Sequence, residues 1–287
     1  MILYRARGGI MIRFIITDLD GTLFHNHGES LFDLTSENVE GLKKAKENGI
    51  RVLPCSGRAI TYTLRLYELH DLGTPVIAAG LNAATIYDEG LVEIYKLDKD
   101  IVLKMMDLVN EYPGKFYNMQ VQDEWETRYY SDLLAAPATT YRNATGKDKC
   151  TVVGDIDALE YVNSGRDICR FSIISHTASD SKFLEEKLRE VFDDEITISR
   201  SSNTFIEVNH KIGNKARFVR YIKEKYNLTA DEVAVIGDNH NDSFMFTESN
   251  HTFAMQSGDE LLKNDAKYIV ESVAECINMC LEMNENN

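Results

Sequence analysis

Short apolar runs alternate with amphipathic segments at the start of the chain. Residues 12–17 are mostly apolar and β-branched, which predicts a buried strand. Thr35 or Ser36 then caps a predicted helix that runs to about Asn48, and Gly49 follows as its stop signal. The same alternation continues with strands at 50–54 and 76–79 and a helix at 59–70. This order predicts a parallel sheet with helices on its faces.

The pattern returns near the end of the chain, after a middle segment of different character. Predicted strands at 232–236, 253–255 and 268–270 alternate with helices at 215–226, 258–266 and 272–283. Residues 83–209 instead contain hairpin-like stretches and few helical patterns, which is typical of an α+β fold. The chain is therefore predicted to be an α/β protein. A doubly wound parallel-sheet core, residues 1–82 and 210–287, would carry an inserted α+β domain at 83–209.

The composition argues against several classes of binding partner and against a membrane span. The 46 acidic and 31 basic residues give a net charge of −15, so neither nucleic acid nor an anionic membrane is expected as a partner. No apolar run of about 18 residues is present, and the five cysteines form no C-x-x-C pair, which favours a reducing, cytoplasmic compartment. Met11 directly precedes the first strand, so we expect it to be the natural start and residues 1–10 to be an extension.

Three predicted strands of the core end in polar groups. These groups are Asp18 and Asp20, Ser56 and Arg58, and Asp238 and Asp242. Ligands of open parallel sheets bind beyond the carboxyl ends of the strands. The pattern therefore indicates a metal and a phosphate held side by side at one edge of the sheet.

Each of these features alone has an ordinary structural explanation. The D-L-D-G-T run that begins at Asp18 is also typical of a strand-ending turn. Ser56 and Asp242 stand where residues commonly cap helices, and Lys215 would by itself be a solvated helix lysine. Their joint occurrence, in this order, is what indicates a catalytic site.

The ordered set resembles the four motifs of the haloacid dehalogenase superfamily. D-x-D-G-T, S-G-R, a lysine and G-D-x-x-N-D together are similar to the Cof subfamily of sugar- and metabolite-phosphate phosphatases. The resemblance covers nearly the whole chain and implies a cap domain inserted between the second and third motifs. The sequence departs from the usual pattern in Asn82-Ala83, Lys215-Ala216 and Ser257-Gly258, so the substrate of a relative cannot be transferred directly.

The resemblance implies a role for each motif residue. Asp18 would be the nucleophile that forms an aspartyl phosphate, and Asp20 the general acid and base. Lys215 would place a positive charge beside phosphate and nucleophile. The remaining substrate-binding residues would be Ser56, Gly57, Arg58 and Asn241. Arg58 would either reach the substrate or pair with an acid at the domain interface, and Asn241 would either hold its loop or touch phosphate.

The same resemblance implies Mg²⁺ as the cofactor. Its expected protein ligands are the Asp18 carboxylate, the Asp20 backbone carbonyl and Asp238. Asp242 would orient a metal-bound water or the lysine.

Several alternatives stay open at this level. A phosphomutase of the phosphomannomutase type would use a similar motif set, and a non-catalytic phospho-ligand sensor is a second alternative. The partner is expected to be a small phosphate monoester, and the chain a monomer or weak homodimer. The roles of His25, His27 and His240 are not determined by the sequence. Trp125 and Tyr129 are expected either to stack on a ligand or to pack in a core.

Overall fold

The computed structural model describes residues 10–24, 34–125, 127–132 and 152–286. These residues form two compact units. Unit 1 contains the described parts of Met1–Cys55 together with Leu66–Pro75 and Phe218–Asn287. Unit 2 contains Ser56–Arg65 and Val76–Arg217. The sequence-based domain limits, 1–82 with 210–287 and 83–209, remain a prediction.

Strands and helices alternate in the order expected of an α/β protein. The described strands are β1 Phe14–Thr17, β2 Arg51–Pro54, β3 Ile77–Gly80, β4 Thr85–Asp88, β5 Leu91–Ile94, β6 Phe116–Gln122, β7 Thr127–Tyr130, β8 Val152–Val153, β9 Arg170–Ser175, β10 Ile196–Ser202, β11 Phe205–His210, β12 Val233–Gly237, β13 His251–Met255 and β14 Tyr268–Val270. The described α-helices are α1 Ser36–Glu47, α2 Ile60–Leu69, α3 Lys99–Asn110, α4 Ala158–Asn163, α5 Ala178–Phe192, α6 Lys215–Tyr226, α7 Ser243–Phe246, α8 Glu260–Asp265 and α9 Val273–Asn286.

A five-stranded parallel sheet lies at the centre of unit 1. Its strand order is β14-β13-β12-β1-β2, and every neighbouring pair is parallel. Every residue of β1 and β12 is buried, as expected for parallel strands covered on both faces. This order brings the carboxyl ends of β1 and β12 side by side. The prediction of a parallel α/β sheet is confirmed.

The local sequence accounts for the first helix of unit 1. The Thr35 side chain accepts a hydrogen bond from the Asn38 backbone N–H, and Gly49 follows the helix with a φ of 77°. On its inner face α1 packs closely on α9. A Cβ on Gly41 would lie only 2.9 Å from Ala274, so glycine permits this close helix approach.

Unit 2 contains a six-stranded sheet, mostly antiparallel. Its order is β10-β11-β9-β6-β7-β8, with only the β7–β8 pair parallel. One face of this sheet packs against α3, α4 and α5 through a core that includes Met119, Phe171 and Leu184. The predicted α+β fold of the insert is confirmed. Helix α5 and the strands at 196–210 lie close to their predicted positions.

The strand predicted at 76–79 exists as β3, but its expected parallel pairing is wrong. It pairs antiparallel with β4 in a separate three-stranded sheet, β3-β4-β5. The reason is the short connection between the two strands. Leu81, Asn82 and Ala83 all adopt positive φ, between 52° and 68°, and so turn the chain directly back. A parallel pairing would need a crossover of a dozen or more residues.

Two helices of unit 2, α3 and α4, were not predicted from the sequence. Asp98 caps α3 by accepting a hydrogen bond from the Asp100 N–H, and the helix buries Val102, Met105 and Met106. The short α4 begins after the Asp157 cap. Among the described residues, no helix has the length and apolarity needed to cross a membrane.

Candidate active site

Three carboxylates meet at the carboxyl ends of β1 and β12 in unit 1. One oxygen from each of Asp18, Asp238 and Asp242 lies within 4.8 Å of the others. Asp18 and Asp242 are buried and Asp238 is half-buried. Two like charges at such a separation repel by roughly 3 kcal/mol at an effective dielectric constant near 20. An arrangement of this kind therefore favours a bound cation.

Backbone geometry fixes the position of each carboxylate in this group. The Asp18 N–H donates to the Ile236 carbonyl (3.0 Å), which continues the β1–β12 ladder to the site. The Thr22 hydroxyl donates to Asp238 Oδ1 at 3.0 Å. Asp242 Oδ2 accepts from the backbone N–H groups of Asp238 and Asn239, both at 3.0 Å. The group is therefore held by the folded backbone.

Two glycines make room for these carboxylates. Gly21 has a φ of 83°, and a Cβ built on it would lie 2.4 Å from Asp238 Oδ2. A Cβ on Gly237 would lie 2.3 Å from the Asp242 Cγ. Since non-bonded Cβ atoms do not approach carboxylates so closely, the two glycines form a cradle around the acidic group.

These residues fit a small divalent cation. Mg²⁺ prefers oxygen ligands and is usually held by one or two carboxylates, together with water and substrate phosphate. The three carboxylates supply such donors, and the cradle places them close together. Asp20 is half-buried and its carboxylate is not one of the three. The resemblance assigns the metal contact of Asp20 to its backbone carbonyl.

The turn that follows Asp238 contains two further candidates. Asn241 is buried beside Asp242 in the short 3₁₀ segment His240–Asp242. His240 is exposed, and its ring packs edge-on to Phe244 with the centroids 6.5 Å apart. His25 and His27 lie outside the described residues.

The segment Ser56–Arg58 belongs to unit 2 and is a tightly bonded turn. Ser56 is buried, and its Oγ accepts from the Arg58 N–H at 3.0 Å. The carbonyls of Ser56 and Arg58 accept from the N–H groups of Asn82 (2.9 Å) and Leu81 (2.7 Å). The Arg58 guanidinium lies over the Tyr62 ring, 5.1 Å from its centroid. The residues that bear the S-G-R motif are therefore tied to the loop after β3.

A buried ion pair completes the bonding of this turn. The Arg170 Nη2 donates to the Gly57 carbonyl at 2.5 Å, and its Nη1 donates to Glu207 Oε1 at 2.7 Å. The other oxygen of Glu207 accepts from Asn82 Nδ2 at 2.9 Å. Complete burial lowers the pKa of Arg170, and the charge of Glu207 opposes that effect. All three carbonyls of Ser56–Arg58 are thus hydrogen-bonded.

Lys215, the predicted lysine, is the first residue of α6 and belongs to unit 2. Its side chain is fully buried. Lysine is almost never fully buried unless it is paired, so its burial sets it apart from the solvated helix lysine considered above. The predicted helix at 215–226 is confirmed.

Several residues of these sites were not predicted from the sequence. Thr22 lies in the first motif, and its hydroxyl holds Asp238, so the motif itself contained that signal. Arg170, Glu207 and Asn82 have no such signal, because they meet only through the pairing of distant strands. Tyr129 packs in the core of unit 2, stacked on Tyr161, whereas Trp125 is 39% exposed.

Comparison with known proteins agrees with this arrangement. Residues 15–276 match the family described as haloacid dehalogenase-like hydrolase. The chain is 28% identical over 269 residues to a 5-amino-6-(5-phospho-D-ribitylamino)uracil phosphatase of Bacillus subtilis, covering 93% of this chain and 92% of that protein. It is 27% identical to a putative phosphatase of Mycoplasma genitalium, covering 91% and 93%.

Solved structures show the same fold. A haloacid dehalogenase-like hydrolase from Bacteroides thetaiotaomicron matches with a TM-score of 0.70 and 22% identity, covering 93% of this chain and 99% of that chain. The predictions of the family and of the enzyme class are confirmed. The chain belongs to the haloacid dehalogenase-like hydrolase family and is a phosphatase of the Cof type.

Proposed function

We propose that this protein is a magnesium-dependent phosphatase that hydrolyses small phosphorylated metabolites, such as sugar phosphates, through an aspartyl phosphate on Asp18. The observation that carries the proposal is the group of three carboxylates at the ends of two neighbouring parallel strands: Asp18 and Asp242, which are buried, and Asp238, which is half-buried. Buried carboxylates that repel one another need either protons or a cation. The family assignment favours the cation.

The carboxylates of Asp18 and Asp238, with the Asp20 carbonyl, would hold the metal. When bound, Mg²⁺ neutralises phosphate charge and so allows an anionic nucleophile to approach phosphorus. Asp242 already accepts two backbone hydrogen bonds through Oδ2, which fixes the orientation of its carboxylate beside the other two. We propose that Asp242 orients a metal-bound water.

The chemistry of the chain's own residues has two steps. In the first, a carboxylate oxygen of Asp18 forms a bond to phosphorus while the ester P–O bond breaks, and Asp20 gives its proton to the departing alcohol. In the second, Asp20 takes a proton from water as that water attacks phosphorus and the bond to Asp18 breaks. Inorganic phosphate leaves, and both carboxyl groups return to their starting states.

The remaining motif residues keep the roles that the resemblance implies. Ser56 and Gly57 would donate to phosphate oxygens, Asn241 would contact phosphate, and Arg58 would reach substrate. Lys215 would balance negative charge on the transferring phosphoryl group. The proposed division is a catalytic core of residues 1–82 and 210–287, with residues 83–209 as a cap that selects the substrate.

The relatives supply the first substrate to test. Two Bacillus subtilis relatives, 28% and 25% identical to this chain, are named 5-amino-6-(5-phospho-D-ribitylamino)uracil phosphatases. That compound is a phosphate monoester with a hydroxylated chain. We propose it, together with hexose and pentose phosphates, as the candidate substrate set.

Phosphate release from this set, with Mg²⁺ or with EDTA, tests the proposal. We expect turnover that requires Mg²⁺ and needs no bisphosphate activator. Transfer of the phosphoryl group to a second sugar position, with little free phosphate, would instead indicate a phosphomutase. No release from any of these substrates, or from phenyl phosphate, would contradict the proposed function.

A further inference from the structure

The chain turn that follows β13 lies against the backbone of Asp238. Because β12 and β13 are parallel neighbours, their carboxyl ends meet at the edge of the sheet that carries the three carboxylates. Strand β13 ends at Met255, and α8 begins at Glu260. We call the residues between them, 256–259, the β13–α8 turn. This turn and the three carboxylates all belong to unit 1.

A backbone hydrogen bond joins the β13–α8 turn to Asp238. The Asp259 N–H donates to the Asp238 carbonyl at 2.7 Å. The Gly258 N–H donates to the Met255 carbonyl at 2.9 Å, which closes the turn on itself. The carboxylate of Asp259 is used elsewhere, because its Oδ1 caps α8 by accepting from the Leu261 N–H at 2.8 Å. The turn therefore holds Asp238 through main-chain atoms.

Gly258 allows the turn to come this close to Asp238. A Cβ built on Gly258 would lie 2.6 Å from the carbonyl oxygen of Asp238 and 3.0 Å from its Cα. Both are backbone atoms, which cannot swing aside as the end of a side chain can. Gly258 is not among the described glycines with positive φ, so glycine is needed here for space and not for backbone conformation. Gly258 is also one of the positions at which the sequence departs from the usual motif pattern.

The β13–α8 turn completes the set of contacts that fix Asp238. The Asp238 N–H donates to Asp242 Oδ2, and its Oδ1 accepts from the Thr22 hydroxyl, both at 3.0 Å. The Asp259 N–H holds its carbonyl, and Gly258 lies against it. Although Asp238 is only half-buried, these contacts leave it little freedom to shift. The backbone therefore sets the spacing of Asp238 from the other two carboxylates.

A rigid carboxylate group can discriminate between divalent cations. Mg²⁺ needs oxygen ligands at about 2.0–2.1 Å in nearly octahedral geometry, whereas Ca²⁺ accepts about six to eight oxygens at about 2.3–2.6 Å in flexible geometry. A ligand that cannot move favours the ion whose geometry it matches, and a ligand that can shift also admits the larger ion. Because the turn lies directly against Asp238, it controls how far this ligand can shift.

We propose that Gly258 and the Asp259 N–H are positioning groups that make the carboxylate site selective for Mg²⁺ over Ca²⁺. The inference rests on the proposed magnesium-dependent function and adds to it the segment that sets the choice of ion. Neither residue belongs to the group of three carboxylates. Both act through the backbone of Asp238.

Calorimetric titration of the metal-free protein with Mg²⁺ and, separately, with Ca²⁺ tests this inference without any substrate. Gly258→Ala must push the turn and Asp238 apart. It should weaken Mg²⁺ binding about 10-fold or more, as the loss of an outer partner of a metal ligand does. Ca²⁺ binding should change by no more than about 3-fold, because Ca²⁺ tolerates irregular geometry. The preference for Mg²⁺ therefore falls.

Gly114→Ala is the control for Gly258→Ala. Gly114 has neither a positive φ nor, among the described residues, an atom within 4 Å of the added Cβ. This substitution adds the same methyl group in open space. It should leave both dissociation constants unchanged.

A pair of substitutions at Asp259 tests the hydrogen bond separately. The φ of Asp259 is −62°, which proline can adopt. Asp259→Pro removes the N–H that holds the Asp238 carbonyl and should lower the preference for Mg²⁺ as Gly258→Ala does. Asp259→Ala removes the carboxylate that caps α8 but keeps the N–H, so it should lower the unfolding temperature and leave the preference unchanged. The unfolding temperature of each metal-free variant shows whether it is folded, and either Gly258→Ala or Asp259→Pro suffices for the test.

The outcomes separate this inference from the proposed function. A folded Gly258→Ala or Asp259→Pro variant that keeps the Mg²⁺ preference, or an unmodified protein that binds both ions equally, would overturn the inference and leave the phosphatase function intact. Equal loss of the preference in Asp259→Ala and Asp259→Pro would overturn the role of the N–H. An unmodified protein that binds no Mg²⁺ would overturn the proposed function itself.

Discussion

The parallel sheet of unit 1 and the six-stranded sheet of unit 2 place their polar groups in different ways. In unit 1, β1 and β12 are buried throughout; Asp18 and Asp238 come directly after the strands end, and Asp242 follows in the next turn. In unit 2, polar side chains alternate with apolar ones along β6, β9 and β11 and form one face of the sheet. The polar side chains lie at the edge of one sheet and on a face of the other.

This difference has a consequence for stability. The three carboxylates of unit 1 carry like charges that repel one another at this separation. The Arg170–Glu207 pair of unit 2 instead balances two buried charges. We therefore expect neutralising substitutions to damage activity but not stability at the edge of unit 1. In unit 2, loss of one charge of the Arg170–Glu207 pair should mainly lower the free energy of unfolding.

The largest effect is expected from Asp18→Asn. This variant should lose roughly 10⁴-fold or more in turnover, since an amide cannot act as the nucleophile. Its thermal unfolding temperature without Mg²⁺ should equal or exceed that of the unmodified protein, because one charge of the carboxylate group is removed. Asp265→Asn, at an exposed position of unit 1, is the control and should keep full activity. Normal turnover in Asp18→Asn would contradict the assignment.

Arg170→Met should show the opposite behaviour in unit 2. It leaves Glu207 buried without its charged partner, which should cost about 3–5 kcal/mol of unfolding free energy. The double variant with Glu207→Met should cost clearly less, because both charges are gone. Trp125, the only tryptophan in the chain, lies in unit 2 and reports its unfolding by fluorescence in urea. If the single and double variants lose equal unfolding free energy, the unpaired charge of Glu207 is not the cause of the destabilisation.

Gly21→Ala tests the cradle around the carboxylates. Gly21 needs a positive φ, and a Cβ there would meet Asp238 at 2.4 Å, so Asp238 must move. A shift of about 1 Å in a reacting group can cost roughly 10²-fold in rate, and we expect a loss of that order. Gly49→Ala is a matched control, since its φ is 77° and no atom lies within 4 Å of the added Cβ. If Gly49→Ala loses as much activity as Gly21→Ala, backbone strain alone explains the effect.

The smallest effect concerns pH. Burial lowers the pKa of His251, at the start of β13, below its usual value of 6.5. The folded chain therefore prefers the neutral imidazole. The stability from this preference is complete above about pH 6.5 and is lost as the pH falls through the folded pKa. Relative to His251→Gln, the unmodified protein should lose more unfolding free energy between pH 7 and 5, which urea unfolding at the two pH values measures.

The site in unit 1 was predictable because its signals are contiguous. D-L-D-G-T and G-D-N-H-N-D each lie within a few residues, directly after a run of buried apolar residues. A parallel sheet then brings the ends of such strands together by its topology alone. The helix at 215–226 and the strand at 268–270 were predicted with their observed bounds for the same local reasons.

The buried polar face of the six-stranded sheet could not be predicted in this way. Gln120, Ser172 and Glu207 are far apart in the chain, and each looks like an ordinary outward-facing strand residue. Their meeting depends on the register of β6, β9 and β11, which no short motif specifies. The antiparallel pairing of β3 was missed because positive φ at the non-glycine residues Leu81, Asn82 and Ala83 is uncommon and has no clear sequence signal.

Identifying the residue that carries the phosphoryl group during turnover tests the proposed mechanism most directly. The Mg²⁺-loaded protein would be mixed with its best substrate, quenched in acid within a single turnover, and mapped by mass spectrometry for the phosphorylated peptide. The account predicts one phosphoryl group on Asp18 and none in the Asp18→Asn variant. A phosphoryl group on Ser56 or any other residue, or full turnover with no phosphorylated peptide at any time, would contradict it.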